Sequence, residues 1–128
     1  MQIILDTNFL IYCAKEKMDY IEELSNILNE NYEIVVPEQV VEELKKLKGD
    51  KMKKVSGKDK KAADLALQIL EKNKIRKVKA EGHSVDEAIV NLSKENKKNI
   101  VCTLDREVRW KLGRVILISR GRKLMLTK

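Results

Sequence analysis

Two aspartates directly follow short apolar segments that are typical of buried strands. Asp6 comes after Ile3-Ile4-Leu5, and Asp105 comes after Val101-Cys102-Thr103-Leu104. In an open parallel sheet, ligands bind beyond the carboxyl ends of the strands, near the point where the strand order reverses. If the two strands are neighbours, the two carboxylates are expected to face one another at such a site.

Two more acidic residues are expected at the same edge of the sheet, each on a helix. Glu43 lies on the helix that Pro37 is expected to open, and Asp86 lies in the first turn of a helix that begins near Ser84. Carboxylates crowded together repel by roughly 4 kcal/mol per pair at ~4 Å and an effective dielectric of ~20. A bound cation removes this repulsion, and oxygen ligands favour Mg²⁺ or Mn²⁺ over zinc. The cluster therefore predicts metal-dependent hydrolysis of a phosphodiester.

Each acid also has a simpler structural interpretation. Asp6 and Asp105 precede helical segments and could serve as N-caps. Asp86 lies within Ser84-Val85-Asp86-Glu87, which matches a capping box whose first and last residues are reciprocal partners. Glu43 could be one of many solvated helix acids. Only the convergence of all four carboxylates at one place favours a catalytic site.

Rival chemistries lack the residues that they need. His83 is the only histidine, which excludes acid–base catalysis by a pair of histidines. An aspartyl-phosphate phosphatase would need a second acid two residues after Asp6, where Asn8 stands. The sequence also contains no glycine-rich phosphate loop.

The elements that would position these residues alternate along the chain. Short apolar runs predict strands, and amphipathic segments between them predict helices. This alternation predicts an α/β fold with a parallel sheet covered by helices on both faces. The predicted strands are 2–5, 32–36, 75–78, 99–103 and 115–119, and the apolar helical stripes lie within 20–28, 40–47, 62–70 and 85–92.

Length and composition predict a single domain that covers residues 1–128. The chain is 43% hydrophobic and 37% charged, which suits a soluble protein with a core. We expect a cytoplasmic location, because no segment is long and apolar enough to span a membrane and the N-terminus lacks the pattern of a signal peptide. Cys13 and Cys102 lie far apart among apolar neighbours, and we expect both to be buried thiols.

The formal net charge of +7 favours a polyanionic partner such as RNA. The segment 48–61, which contains many lysines, is expected to form an exposed loop running into the third apolar helix. In the simpler interpretation this segment is only a solvated surface. The candidates for contacts with RNA phosphates are Lys53, Lys54, Lys58, Lys60, Lys61, Arg106 and Arg109.

Four segments, taken in order, resemble the motifs of the PIN-domain nucleases. They are Asp6-Thr7-Asn8, Val40-Val41-Glu42-Glu43-Leu44, Val85-Asp86-Glu87-Ala88-Ile89 and Cys102-Thr103-Leu104-Asp105-Arg106. The resemblance spans essentially the whole chain. It implies a three-layer α/β/α sandwich with a central parallel sheet of about five strands, and an acidic pocket that uses Mg²⁺ or Mn²⁺ as a cofactor. It also implies endonucleolytic cleavage of single-stranded RNA.

The resemblance assigns a role to each of the polar residues in these motifs. Two departures stand out: Leu104 occupies a position that is polar in many relatives, and Glu42 beside Glu43 makes the second acid ambiguous. Glu43 is preferred because it directly precedes Leu44, as in the family pattern. The implied catalytic residues are Asp6, Glu43, Asp86 and Asp105, the metal ligands are Asp6, Asp86 and Asp105, and the supporting polar groups are Thr7, Asn8 and Thr103.

Three functions remain open within this resemblance. The segment that starts at Gly57 and the ending GRKLMLTK look more like the ribosomal-RNA-processing branch than like the toxin of a toxin–antitoxin pair. The toxin is the alternative with the same chemistry, and a non-catalytic RNA-binding module is the alternative from another class. The presence of all four acids argues against the third. We expect a homodimer, and the protein partner is either a ribosome-biogenesis factor or an antitoxin.

Overall fold

The fold is described here from a computed structural model that covers residues 1–50, 55–104, 112–119 and 123–127. The helices and strands of these residues alternate as the sequence predicts. The strands are β1 (Gln2–Leu5), β2 (Glu33–Pro37), β3 (Arg76–Val78), β4 (Ile100–Cys102), β5 (Val115–Ser119) and β6 (Lys123–Leu126). The helices are α1 (Thr7–Lys15), α2 (Tyr20–Ile27), α3 (Glu38–Lys48), α4 (Gly57–Lys72) and α5 (Val85–Ser93).

The strands form one sheet in the order β3-β2-β1-β4-β5-β6. The chain moves outward from β1 to β2 and β3, and then returns to the other side of β1 with β4. The strand order therefore reverses between β1 and β4, which pair in parallel with Leu5 beside Cys102. The prediction that the strands preceding Asp6 and Asp105 are neighbours is confirmed.

Helices cover both faces of the sheet in a three-layer α/β/α arrangement, as expected. Consecutive residues of the central strands are fully buried, including Ile3, Ile4 and Leu5 in β1. A strand buried on both sides needs a layer of helices on each face. Helices α1, α3 and α4 pack against one another, whereas α5 packs on β1, β2 and β4. The core thus lies on both sides of the strands that end at the candidate site.

One part of the fold expectation needs correction. The sheet has a sixth strand, β6, which pairs antiparallel with β5 and places Leu117 opposite Met125. The sheet is therefore mixed, with five parallel strands and one antiparallel edge strand. Within β6, Leu124 is buried and Met125 is exposed, the alternation of a strand with one face on the core.

The lysine-rich segment 48–61 is also more ordered than a loop at its end. Helix α4 begins at Gly57, where the side chain of Ser56 caps it by accepting a hydrogen bond from the backbone N–H of Asp59 (3.1 Å). The expectation of an exposed loop is therefore wrong for residues 57–61, because this cap starts the helix before its apolar stripe begins.

Two simpler expectations can also be compared with the structure. Cys13 and Cys102 are both buried and neither forms a disulfide, as predicted. No helix in the described part of the chain combines the length and apolar character needed to cross a membrane.

Candidate functional site

Asp6 stands at the carboxyl end of β1 and caps helix α1. Its Oδ1 accepts a hydrogen bond from the backbone N–H of Thr7 (2.7 Å), and its Oδ2 accepts one from the hydroxyl of Thr103 (3.0 Å). The backbone N–H of Asp6 donates to the carbonyl of Cys102 (3.1 Å), which extends the pairing of β1 with β4 by one residue. The N-cap interpretation is thus correct for Asp6, but capping leaves one carboxylate oxygen for Thr103, the residue that directly follows β4.

The environment of Asp6 is unfavourable to its charge. Burial raises the pKa of this carboxyl group, the hydrogen bonds from Thr103 and from the backbone of Thr7 lower it, and the charges of Asp86 and Glu43 raise it further. The net shift is upward. Because distant helices contribute to the shift of the Asp6 pKa, the three acids share one electrostatic environment.

A cavity of about 360 Å³ brings together the predicted acids that the structure describes. We call it the acidic cavity. Glu43 reaches it from α3 and is half-buried, while Asp86 reaches it from the first turn of α5 and is exposed. The cavity also contains the predicted supporting residues Thr7 and Asn8. Its lining consists of Asp6, Thr7, Asn8, Glu43, Ser84, Val85, Asp86, Ile89 and Leu112.

The start of α5 is capped by residues other than Asp86. Ser84 Oγ accepts a hydrogen bond from the backbone N–H of Glu87 (3.2 Å), as a capping box predicts. The reciprocal bond differs from the prediction, because Glu87 Oε2 accepts from the backbone N–H of His83 (2.9 Å) and not from that of Ser84. Since Ser84 and Glu87 provide the caps, the carboxylate of Asp86 is left to face the cavity.

Gln39 is a structural residue of the site that the sequence analysis did not single out. Its side-chain N–H₂ donates to the carbonyls of Ala80 (2.7 Å) and Gly82 (3.1 Å), and these bonds tie α3 to the segment before α5. The helices that carry Glu43 and Asp86 are therefore joined next to the acidic cavity. A glutamine on an amphipathic helix gives no sequence signal for such a contact.

A second cavity, of about 220 Å³, adjoins the acidic cavity and shares Glu43, Ser84 and Val85 with it. We call it the flanking cleft; its lining consists of Gln39, Glu42, Glu43, Lys46, His83, Ser84 and Val85. Glu43 lines both cavities, whereas Glu42 lines only the flanking cleft. This placement supports the choice of Glu43 as the second acid.

The described residues fit a hydrated divalent cation better than a closed protein cage. No group of three His, Cys, Asp or Glu side chains among them lies close enough to form a ready metal site. Magnesium, however, commonly keeps several waters and uses only one or two carboxylates. The hydroxyl oxygen of Thr7 is buried in the lining and has no hydrogen-bond partner among the described residues, so it can donate to or accept from a ligand or its water. The donor set, carboxylates and hydroxyls, has the hard oxygen chemistry that Mg²⁺ and Mn²⁺ prefer.

Several predicted site residues lie outside the described residues. Lys58, Lys60 and Lys61 are described and stand in the first turns of α4. Their neighbour Asp59 forms an ion pair with Lys15, the last residue of α1, whereas Asp6 caps the other end of that helix. The residues outside the described part are Asp105, Arg106, Arg109, Lys53 and Lys54.

A larger cavity, of about 790 Å³, lies elsewhere on the molecule, between α3, α4 and β3. It is lined mainly by apolar side chains, including Val41, Leu67 and Ile75, with Lys45 at its rim. We call it the apolar groove. Asp6, Glu43 and Asp86, the three predicted acids that the structure describes, do not line it, and its apolar lining does not resemble a site for phosphodiester chemistry.

The sequence is similar to a known family and to a known protein. The model of a family described as "PIN like domain" matches residues 3–122. The protein named ribonuclease VapC4 from Methanocaldococcus jannaschii is 40% identical over 111 residues, which cover 87% of this chain and 82% of that protein.

Solved structures share the fold at low sequence identity. The PIN domain endonuclease Utp24 superposes with a TM-score of 0.76 at 22% identity, over 98% of this chain and 90% of that one. A structure of VapBC2 from Rickettsia felis, bound to a DNA fragment from their promoter, matches with a TM-score of 0.57 at 13% identity, over 88% of this chain and 94% of that one. At these identities the likeness concerns the fold alone.

Proposed function

The chain belongs to the PIN-like domain family, and from that premise we propose that it is a divalent-metal-dependent endoribonuclease acting on single-stranded RNA. The observation that carries the proposal is the convergence of Asp6, Glu43 and Asp86 on one cavity at the point where the strand order reverses. The name of the relative that is 40% identical, a ribonuclease, supports RNA as the substrate.

In this proposal each acid has a defined task. Asp6, Asp86 and Asp105 would hold Mg²⁺ or Mn²⁺, and Glu43 would be a further catalytic carboxylate that lines the same cavity as Asp6 and Asp86. When bound, the cation would stabilise the negative charge that develops on the phosphodiester and make water a better nucleophile.

The chain's own contribution is orientation. The bonds from Thr7 N–H and the Thr103 hydroxyl fix both oxygens of Asp6, so this carboxylate needs no rearrangement when the cation arrives. Asn8 and the Thr7 hydroxyl, which line the same cavity, would position the attacking water or the RNA backbone. Without a cation, the pKa of Asp6 is raised because its ionised form is buried beside other acids. A bound cation would lower this pKa because it stabilises the ionised carboxylate.

For the biological role we propose the toxin of a toxin–antitoxin pair, with an antitoxin as the protein partner. The VapC name of the similar ribonuclease favours this role over processing of ribosomal RNA. The likeness to Utp24 concerns the fold and does not carry the ribosomal role. Expression of the chain in a bacterial host would test it, because a toxin should arrest growth and an Asp6→Asn variant should not.

The state of the protein in the cell is a separate proposal. We propose that residues 1–128 act as one domain, as a homodimer in the cytoplasm. Light scattering at micromolar concentration should give twice the mass of 14.8 kDa. A mass equal to one chain would contradict the dimer and leave the catalytic proposal intact.

The experiment that tests the enzymatic proposal is cleavage of a labelled single-stranded RNA by the purified chain. We expect cleavage with Mg²⁺ or Mn²⁺ and none in excess chelator. Asp6→Asn should lower the rate by more than the ~10–100-fold that is typical of outer-shell residues at metal sites, because it removes a direct ligand.

The matched control is Asp64→Asn, which makes the same chemical change on α4. Asp64 is paired with Lys48 and lines neither the acidic cavity nor the flanking cleft. This variant should cleave like the wild type. Cleavage that persists in chelator, or an Asp6→Asn variant with full activity, would refute the proposal.

A further inference from the structure

The acidic cavity presents a problem for a polyanionic substrate. None of the described residues that line it is a lysine, arginine or histidine. A phosphodiester strand that enters a cavity lined by carboxylates needs cationic groups close by to hold it there. The lysines at the start of α4, Lys58, Lys60 and Lys61, line neither this cavity nor the flanking cleft.

The flanking cleft supplies the missing groups. It is continuous with the acidic cavity through Glu43, Ser84 and Val85, and two of its lining residues are Lys46 and His83. We propose that this cleft binds the phosphate next to the scissile one, with Lys46 and His83 as its ligands. The inference rests on the proposed function, because it assumes that RNA is the substrate.

Both side chains are available for such a contact. Within the residues that the structure describes, the ion pairs engage Lys15, Lys48 and Arg76, and neither the Lys46 ammonium nor the His83 imidazole has a hydrogen-bond partner. An ammonium group carries three donors, and an imidazole carries at least one N–H in either charge state. The oxygens of one phosphate group can therefore accept hydrogen bonds from both side chains.

Several hydrogen bonds and close contacts hold the segment that contains His83. Gln39 binds the carbonyls on either side of Glu81, and Glu87 binds the backbone N–H of His83. Gly82, with φ of 144°, packs so tightly under α5 that an added Cβ would lie 2.7 Å from the backbone nitrogen of Ala88. These contacts use backbone groups and Gln39, so they fix the position of His83 without using its side chain.

The charge of Glu42 provides a test in which RNA binding should become stronger. Its exposed carboxylate lines the cleft beside Lys46 and would repel a bound phosphate. Replacing Glu42 by Gln should therefore strengthen RNA binding, whereas a role of Glu42 as a metal ligand would predict weaker metal binding instead.

The test is fluorescence anisotropy of a labelled single-stranded RNA with the full chain in EDTA, where a metal-dependent nuclease cannot cut. Lys46→Ala should weaken binding about five-fold at 0.1 M salt and reduce the slope of log K against log salt by about 0.7, the loss of one phosphate contact to a single strand. His83→Ala should weaken binding in the same direction, and Lys46→Arg should retain it.

The matched control is Lys45→Ala, which removes the same charge from the neighbouring residue of α3. Lys45 lines the apolar groove and not the flanking cleft, so its loss should leave affinity nearly unchanged. Equal effects of Lys45→Ala and Lys46→Ala would show a general charge effect and overturn the subsite. Wild-type binding that neither Lys46→Ala nor His83→Ala alters would overturn the subsite alone. If the wild type binds no RNA in EDTA, the subsite is overturned, whereas the proposed function is tested separately by cleavage with Mg²⁺ or Mn²⁺.

Discussion

Asp6 carries two opposing influences in one side chain. Burial and the charges of Asp86 and Glu43 disfavour its ionised form, while the hydrogen bonds from Thr103 and Thr7 favour it. A carboxylate that served only to cap α1 would gain nothing from burial next to two other acids. A bound cation would offset both the burial of this carboxylate and its repulsion from the other two acids. The geometry of Asp6 is therefore consistent with the proposed cation.

The raised pKa of Asp6 gives a dependence of stability on pH whose sign is fixed. The folded chain binds this proton more tightly than the unfolded chain, so the stabilisation is complete below the usual aspartate value of 3.8 and is lost as pH rises through the folded-state pKa. Asp6→Asn cannot ionise and keeps an acceptor for Thr7 N–H. In chelator, the free energy of unfolding of the variant should therefore rise relative to wild type as pH increases above 3.8.

Urea unfolding from pH 3 to pH 7 measures this difference, and Asp64→Asn is the control of opposite sign. The ion pair with Lys48 lowers the pKa of Asp64, so that variant should lose stability relative to wild type as pH rises. The effect should be small because the pair is exposed. A stability loss of Asp6→Asn at pH 7 would mean that its role is capping.

Thr103 is expected to act through Asp6 and not on the substrate. Its hydroxyl donates to Asp6 Oδ2 and lowers the pKa of that carboxyl group. Thr103→Val keeps the shape of the side chain but removes the donor, so activity should fall about 10–100-fold. The acidic limb of the pH–rate profile should move to higher pH, and Thr103→Ser should restore both. A rate loss without a shift of that limb would indicate a packing defect.

At the level of elements, the segment from Ala80 to Ser84 determines where α5 presents Asp86. Gly82 is the most constrained position in it. Gly82→Ala should destabilise the fold by about 1–3 kcal/mol, because its φ of 144° is unfavourable for alanine and the new Cβ would lie 2.7–2.9 Å from atoms of Glu87 and Ala88.

Gly57 provides a matched control for this substitution. It opens α4 with no atom within 4 Å of an added Cβ, so Gly57→Ala should stabilise the chain by about 0.4–1 kcal/mol. Thermal or urea unfolding of both variants measures the contrast. If Gly82→Ala were as stable as the wild type, residues 80–84 would not be held by the contacts described here. The position of His83 in the flanking cleft would then not be fixed either.

The sequence predicted the strands that have consecutive apolar residues, but it did not predict the strand that pairs antiparallel with β5. The apolar runs located β1 to β5 because a strand buried on both faces needs consecutive apolar residues. Strand β6 was missed although a signal was present: Val115–Ser119 and Lys123–Leu126 are separated by three residues that include Gly121, a spacing typical of a hairpin.

The candidate site shows the same division. The capping-box motif predicted the cap at Ser84 from residue type and spacing, and the family resemblance implied that Thr103 is a supporting polar group. The contacts of Gln39 with Ala80 and Gly82 join residues more than 40 positions apart, and no pattern in one sequence specifies them. The same applies to Lys46, whose place in the flanking cleft depends on how α3 packs beside α5.

At the scale of the whole molecule, which has a net charge of +7, two groups of basic residues differ in how they are placed relative to the acidic cavity. Lys46 and His83 line the flanking cleft next to the acidic cavity, whereas Lys58, Lys60 and Lys61 stand at the start of α4 and line neither cavity. A strand bound at the acids lies next to the first group, whereas the second group is outside both cavities. The two groups should therefore respond differently to the length of the RNA.

Replacing Lys58, Lys60 and Lys61 together by Ala should weaken binding of a single strand of about 16 nucleotides and reduce its salt slope by about 0.7 per lost contact. Binding of a strand of about four nucleotides should change less, because Lys58, Lys60 and Lys61 line neither the acidic cavity nor the flanking cleft that would hold such a strand. Lys46→Ala should weaken both, and sequence preference should stay the same because these contacts are to phosphates. Anisotropy titrations with both lengths at several salt concentrations measure the difference. If the triple variant binds the long strand with unchanged affinity and salt slope, the lysines of α4 form only a solvated surface, and the RNA must leave the acidic cavity in another direction.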